Sequence, residues 1–262
     1  MPTSGAASRP KSIELFSLPN FPHVQPGDDI IALTLAGLVS AGHHLQDGDI
    51  VIFAQKIISK AEGRLVNLKD VTPGKRALEV GAHTEKDPRL VELILRESDE
   101  ISRMRPGLLV VRHRLGFTSA NAGIDRSNVG QGPEEVVILL PEDPDKSAAD
   151  LRQAILERSG ASVAVLITDS HGRAFRLGTV GVAIGAAGLP ALWDRRGERD
   201  LYGYELQHTE VGMADELAAA ASLLMGQAAE GLPVVIVRGL RLPENEGRAS
   251  DLVRPKELDL YR

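Results

Sequence analysis

Two short stretches collect oxygen and nitrogen donors in patterns that suit chemistry. LITDSHGRAFRLG (166–178) runs an apolar segment into Asp169, Ser170, His171, Gly172 and Arg173, and SANAGIDRSNVG (119–130) carries Asp125, Ser127 and Asn128 between glycines. Hard divalent cations such as magnesium and manganese take oxygen ligands, commonly one or two carboxylates completed by substrate phosphates. Two aspartates on separate loops at strand ends meet that demand. Both also suit ordinary turn or cap chemistry. Ser170 and His171 look like a nucleophile beside its base, but adjacent residues leaving a strand point apart. The pair is therefore not read as a hydrolase dyad, and His171 carries no role in this reading. Lys56 and Lys60 in AQKIISKAEGR (54–64) stand four residues apart after a strand, either as a solvated face or as a pair of cations for an anion.

Several familiar signatures are missing. There is no G-x-x-x-x-G-K-[ST], so a P-loop is excluded, and no G-x-S-x-G nucleophile elbow. Gly178, Gly181, Gly185 and Gly188 have the wrong spacing for G-x-G-x-x-G and read better as close packing of a small-residue strand. The seven histidines include no H-E-x-x-H pair.

The elements that must hold these residues follow from periodicity and punctuation. A strand near residue 13 is broken by Pro19, Pro22 and Pro26. A helix is expected over Asp29–Gly42, capped by Asp28 or Asp29, with Ile30, Leu33, Leu38 and Val39 in its apolar stripe. The turn Asp47-Gly48 leads to a strand over 49–54. Lys86–Ile101 reads as one helix, with Pro88 in its first turn. Strands are expected at 107–113, 135–141, 163–168 and 233–240, and helices at Asp145–Gly160 and Glu210–Met225. The long, aperiodic connection 117–132 is of a kind that is usually functional. These elements predict a mixed α/β or α+β fold without the rhythm of a doubly wound Rossmann sheet. Residues 1–12 read as a disordered tail, 13–245 as the functional domain, and 246–262 as a C-terminal tail.

Composition narrows the chemistry further. The 262 residues carry 30 basic and 36 acidic groups, a net charge of −6, which argues against a general polyanion binder. Aromatic residues make up 3%, too few for stacking platforms on single-stranded nucleic acid. The absence of cysteine removes disulfides, thiolate metal sites and thiol catalysis. The N-terminus lacks the apolar core of a signal peptide, and no uncharged stretch is long enough to span a bilayer, so a cytoplasmic location is expected.

Five motifs then occur in one order: FAQKIISKAEGR (53–64), SANAGIDRSNVG (119–130), LITDSHGRAFRLG (166–178), DLYGYELQHTEVGMADELAAAASLLMGQ (200–227) and PVVIVRGL (233–240). In content and order they resemble the coenzyme F420:L-glutamate ligase family, over nearly the whole chain from about Ile13 to about Leu240. The resemblance implies GTP-dependent amide ligation. The γ-phosphate of GTP passes to a carboxylate of the deazaflavin coenzyme F420-0, and the amine of L-glutamate attacks the acyl phosphate. Further γ-linked glutamates can follow. It also implies two divalent magnesium or manganese ions, potassium, and an intertwined homodimer with an unusual α/β fold.

Carried over by position, the resemblance makes Asp125 and Asp169 metal ligands, with Ser170 (threonine in relatives) and Gln227 as further metal contacts. Leu18, Pro19, Asn20 and Phe21 correspond to one GTP segment, Gln55, Lys56 and Lys60 to a second, and Asn128 to another GTP contact. Lys60, with Arg173 or Arg176, would offset phosphate charge, and Gly123 and Gly172 would let backbone N–H groups approach phosphate. SLPNF and Gln55-Lys56 depart from the usual family residues. Some relatives fuse this domain to a nitroreductase-like FMN domain; 262 residues leave no room for one. The competing expectations are a glutamate ligase for another pterin- or folate-like acid and a non-catalytic nucleotide- or flavin-binding module.

Overall fold

The computed structural model describes residues 12–128, 135–243 and 245–259. Residues 1–11 of the tail expected over 1–12, and the end of the 117–132 connection, lie outside the described residues. The first half of the chain carries β1 (Glu14–Ser17), α1 (Ile30–Ser40), β2 (Ile50–Ala54), α2 (Gln55–Ala61), β3 (Leu65–Asn67), α3 (Lys75–Thr84), α4 (Pro88–Arg96), β4 (Ser98–Arg105), β5 (Leu108–His113) and β6 (Thr118–Ala120). The second half carries β7 (Val136–Ile138), α5 (Pro144–Ser159), β8 (Ala164–Arg173), β9 (Arg176–Ala187), β10 (Trp193–Asp194), β11 (Glu210–Val211), α6 (Met213–Met225) and β12 (Val234–Arg238). The fold is mixed α/β, with several sheets and no closed barrel.

A five-stranded sheet in the order β1-β12-β2-β8-β9 forms the centre; its neighbours β2 and β8 pair in parallel and the other neighbouring pairs are antiparallel. The strand β2 reads IVIFA because both of its faces are covered. Val51 and Phe53 pack on the side of α1 and α5, while Ile50 and Ile52 meet α6 on the other. Small residues on β9 bring the helices close, as their spacing suggested. A Cβ on Gly181 would lie 2.4 Å from the Ala218 carbonyl oxygen, and one on Gly185 would lie 2.2 Å from that of Pro144. A second core, around Val91, Ile94, Leu109 and Val111, joins α3 and α4 to the sheet β4-β5-β6.

The edge strand β9 does not leave its backbone free. Ala183 N–H donates to Asp215 and Ala186 N–H to Asp145, each at 2.9 Å. These carboxylates close an edge that would otherwise recruit another strand. Asp145 also accepts from Ala249 N–H at 2.8 Å, which docks the C-terminal segment 249–259 with its two 3₁₀ turns.

Four sequence expectations change, the first being that the helix expected over Glu210–Met225 begins at Met213, with Glu210–Val211 forming β11. The helix expected over Lys86–Ile101 stops at Arg96, and Ile101 pairs with Val111 in β4–β5. The Ser98 hydroxyl donates back to Ile94 O, and strand pairing overrides the helical spacing beyond it. In α1, Asp29 caps the helix by accepting from Ala32 N–H, as expected, but Val39 is 77% exposed. Ile31 and Thr34 take its place in the core. Finally, the strand expected to end at Thr168 continues to Arg173, because β9 pairs with it residue by residue from Asp169↔Val182 to Gly172↔Thr179. The polar run is therefore strand, not turn.

Candidate active site

Strand direction gathers the candidate residues. β1, β2 and β8 all point the same way, with β12 antiparallel between the first two. The carboxyl ends of β1 and β2 therefore share one rim of the sheet, where ligands of open α/β sheets commonly bind, and β8 passes that rim at Thr168. Ala54, the last residue of β2, pairs with Thr168, so Lys56 follows the end of β2 while Asp169 is the next residue of β8, beyond the part paired with β2. The turn Pro19-Asn20 follows β1 at the same rim, anchored by Leu18 N–H donating to Val234 O. Asn20 sits at φ 56°, a left-handed conformation that asparagine tolerates.

Asp125 enters through a bridge with Ile138, exchanging both backbone hydrogen bonds. Its carboxylate accepts from Ser127 N–H at 2.7 Å and Ser127 Oγ at 2.9 Å, and it pairs with Lys56 Nζ at 2.7 Å. Burial pushes its pKa up, but the Lys56 and Ser127 hydrogen bonds outweigh that and hold the carboxyl below its ordinary value. One turn along α2, Lys60 has its pKa lowered by burial and then by the charge of Lys56. No salt bridge joins Lys60 to an acid among the described residues. Asn128, at φ 55°, donates its amide to Ala228 O at 3.0 Å. That bond brings the Asp125 loop against the segment carrying the exposed Gln227.

Asp169 lies on a different side chain network. Its Oδ2 meets His171 Nε2 at 3.0 Å, and the imidazole is 8% exposed. The His171 ring packs on Phe117, with centroids 4.9 Å apart, and Phe117 stacks on His113 at 5.1 Å. His113 is fully buried; its Nδ1 accepts from Leu115 N–H, and burial pushes its pKa down to about 4. Glu97, held by Arg64 and Arg114, lies 3.7 Å from His113 Nε2. Asp215, with its pKa raised by burial, is in electrostatic reach of His171. His171 and Asp215 both line a cavity of about 280 Å³.

Not every candidate side chain reaches the rim. Leu18 is fully buried in the core beneath α1. Gln55 is 2% exposed, with its amide donating to Ser59 Oγ and Leu139 O. Ser170 is exposed and alternates with Asp169, so the two hydroxyl and carboxylate groups leave opposite faces of β8. His171 and Phe117 were passed over in the sequence, although Asp-x-His in a strand places both side chains on one face. The missing signal was the length of β8.

Among the described residues, no group of three or more His, Asp or Glu side chains forms a ready-made metal cluster. Asp169 Oδ1 accepts no hydrogen bond among them, and an all-oxygen donor set completed by phosphate fits a hard divalent cation. Asp125 fits the same cation only in exchange for Lys56. A larger cavity, about 670 Å³, runs along α5 beside Arg152 and Arg248, and none of the candidate residues line it.

Fold and side chains together define a class: a mixed α/β protein in which the Lys56–Asp125 pair lies just past the end of β2, the strand that pairs with the Asp169-bearing β8. The family model described as F420-0:Gamma-glutamyl ligase matches residues 20–239. The chain belongs to that family. It is 49% identical over 252 residues to the coenzyme F420:L-glutamate ligase of Methanothermobacter thermautotrophicus, covering 95% of this chain and 99% of that protein. The Methanopyrus kandleri protein of the same name is 48% identical, covering 91% and 93%. That of Archaeoglobus fulgidus is 43% identical, covering 95% and 96%. No helix among the described residues is long and apolar enough to cross a membrane.

Proposed function

We propose that this protein joins L-glutamate to the deazaflavin coenzyme F420-0 at the expense of GTP, within coenzyme F420 biosynthesis. The observation that supports the reading is the Lys56–Asp125 pair just past the end of β2, level with Thr168 of β8, in a chain of this family. The γ-phosphoryl group of GTP transfers to the acceptor carboxylate, giving an acyl phosphate and GDP. The glutamate amine then attacks the acyl carbon, forms the amide and releases inorganic phosphate. Phosphoryl transfer between anions is chiefly a matter of positioning and charge neutralisation.

Lys60, without an acidic partner among the described residues, neutralises nucleotide phosphate, and Lys56 joins it when released from Asp125. Asn128 and the Pro19–Phe21 turn bound the nucleotide; Leu18 and Gln55 act through their backbone and packing. Asp125 and Asp169 are assigned as ligands of magnesium or manganese, with Gln227 and Ser170 next to them and potassium as an accessory ion. When bound, the divalent ions supply charge compensation on the transferring phosphoryl oxygens. The ligase domain is assigned to residues 13–245. A homodimer accounts for apolar side chains left outside the core: Leu177 is 97% exposed, Leu201 98% and Tyr202 95%.

The test is direct. Protein incubated with GTP, manganese, L-glutamate and coenzyme F420-0 should yield an acceptor heavier by one or more glutamyl units in mass spectrometry. Asp169→Asn should abolish that product while leaving the circular dichroism spectrum unchanged. Folded wild-type protein that gives no mass shift refutes the activity. Product with ATP or with a folate-like acid would redirect the substrate assignment, and sedimentation would settle the dimer.

A further inference from the structure

We propose that His171 is a positioning residue that sets the Asp169 carboxylate, with Phe117 and His113 as its backing. The inference rests on the reading of Asp169 as a metal ligand. Asp169 and His171 are two apart on β8, so their side chains leave the same face. A carboxylate only accepts hydrogen bonds, so the 3.0 Å contact places the proton on His171 Nε2. That bond occupies Oδ2 and leaves Oδ1 without a hydrogen bond among the described residues.

The imidazole has little freedom to do anything else. It is 8% exposed and lies against Phe117, which in turn stacks on His113 with the rings 11° from parallel. His113 is itself fixed, since its Nδ1 accepts from Leu115 N–H and its Nε2 faces Glu97. The column runs from the core of α4 and β5 to the rim of the central sheet. A ligating carboxylate without such a partner samples several rotamers, and losing an outer partner of a metal ligand typically costs about 10–100-fold in affinity.

The variant His171→Phe keeps a ring against Phe117 and removes the donor. His171→Gln carries an amide N–H at about the same distance along the side chain. The experiment is a Mn²⁺ titration followed by electron paramagnetic resonance, with a non-hydrolysable GTP analogue present. We expect binding to weaken at least tenfold in Asp169→Asn and about tenfold in His171→Phe, and to stay within about twofold of wild type in His171→Gln. Weakened Asp169→Asn with unchanged His171→Phe overturns the positioning role and leaves Asp169 a ligand. Unchanged Asp169→Asn overturns the ligand reading and the positioning role with it. Equal loss in His171→Phe and His171→Gln assigns the effect to packing and also overturns the proposal. Should His171→Phe not fold, His171→Asn replaces it: its shorter amide stops short of Asp169, and the same comparison with Gln applies.

Discussion

Lys56 occupies the position a cation would need at Asp125, so removing it should change metal and nucleotide binding in opposite directions. The pair is 2.7 Å long, with side chains 29% and 40% exposed. Two unit charges at that distance and an effective dielectric of about 20 attract by roughly 6 kcal/mol before hydration is counted. Solvent screening and side-chain ordering reduce exposed pairs to about 0.2–1 kcal/mol net. Lys56→Met removes this competitor, so Mn²⁺ without nucleotide should bind about two- to fivefold more tightly, at about 1.4 kcal/mol per tenfold. The same variant loses a charge-assisted contact to phosphate, worth about 1.5–3 kcal/mol, so GTP should bind roughly tenfold or more weakly. Isothermal titration calorimetry measures both, and raised ionic strength should shrink the metal effect. Mn²⁺ binding that is weaker in Lys56→Met refutes the competition argument, because it would make Lys56 a support of the metal site.

Two further outcomes concern the scaffold. Gly185→Ala must displace the start of α5 by about 1 Å, since its Cβ would lie 2.2 Å from Pro144 O, and overpacking of this kind costs about 1–3 kcal/mol. Thermal denaturation should show a melting temperature lower by several degrees, while Gly172→Ala, with nothing within 4 Å of its Cβ, should melt at or slightly above wild type. His113 stays neutral when folded down to about pH 4, against 6.5 when unfolded, so the unfolded chain binds the extra proton between those values. Its contribution is complete above about pH 6.5 and is lost as pH falls towards 4, on the order of 3 kcal/mol in all. Denaturant midpoints of His113→Phe should fall less steeply than wild type across that window.

The sequence made the core of the fold legible where one signal governed each element. Asp29, Pro88 and Gly160 marked helix ends, and the turn Asp47-Gly48 marked the start of the strand over 49–54. What it concealed depended on partners distant in the chain. Ser98–Ile101 continues the helical spacing of α4, and only the ladder with β5 turns it into strand. Thr168 looked like a strand end because polarity changes there, whereas β9 carries the pairing on to Arg173. That single misplacement hid the Asp169–His171 contact, which needs an extended backbone. The Lys56–Asp125 pair spans 69 positions and Asn128–Ala228 spans 100, and no local pattern announces such contacts.

These contacts give the rim a specific electrical character. Asp125 is matched by Lys56 and Ser127, and Asp169 by a neutral-capable imidazole, so neither carboxylate presents its full charge to an incoming anion. Lys60 is the opposite case: a partly buried ammonium beside another ammonium, its charged form disfavoured by both. In a chain of net charge −6, long-range attraction does little to draw in a nucleotide, so selectivity must arise at short range. On the proposed ligase reading, a phosphate arriving at Lys60 would relieve the repulsion between the two lysines and give Lys56 an alternative partner. Release of Lys56 would expose the Asp125 carboxylate to a divalent cation shared with the same phosphate. Nucleotide and metal would then favour each other's binding through Lys56, and by reciprocity the coupling would have the same size in both directions.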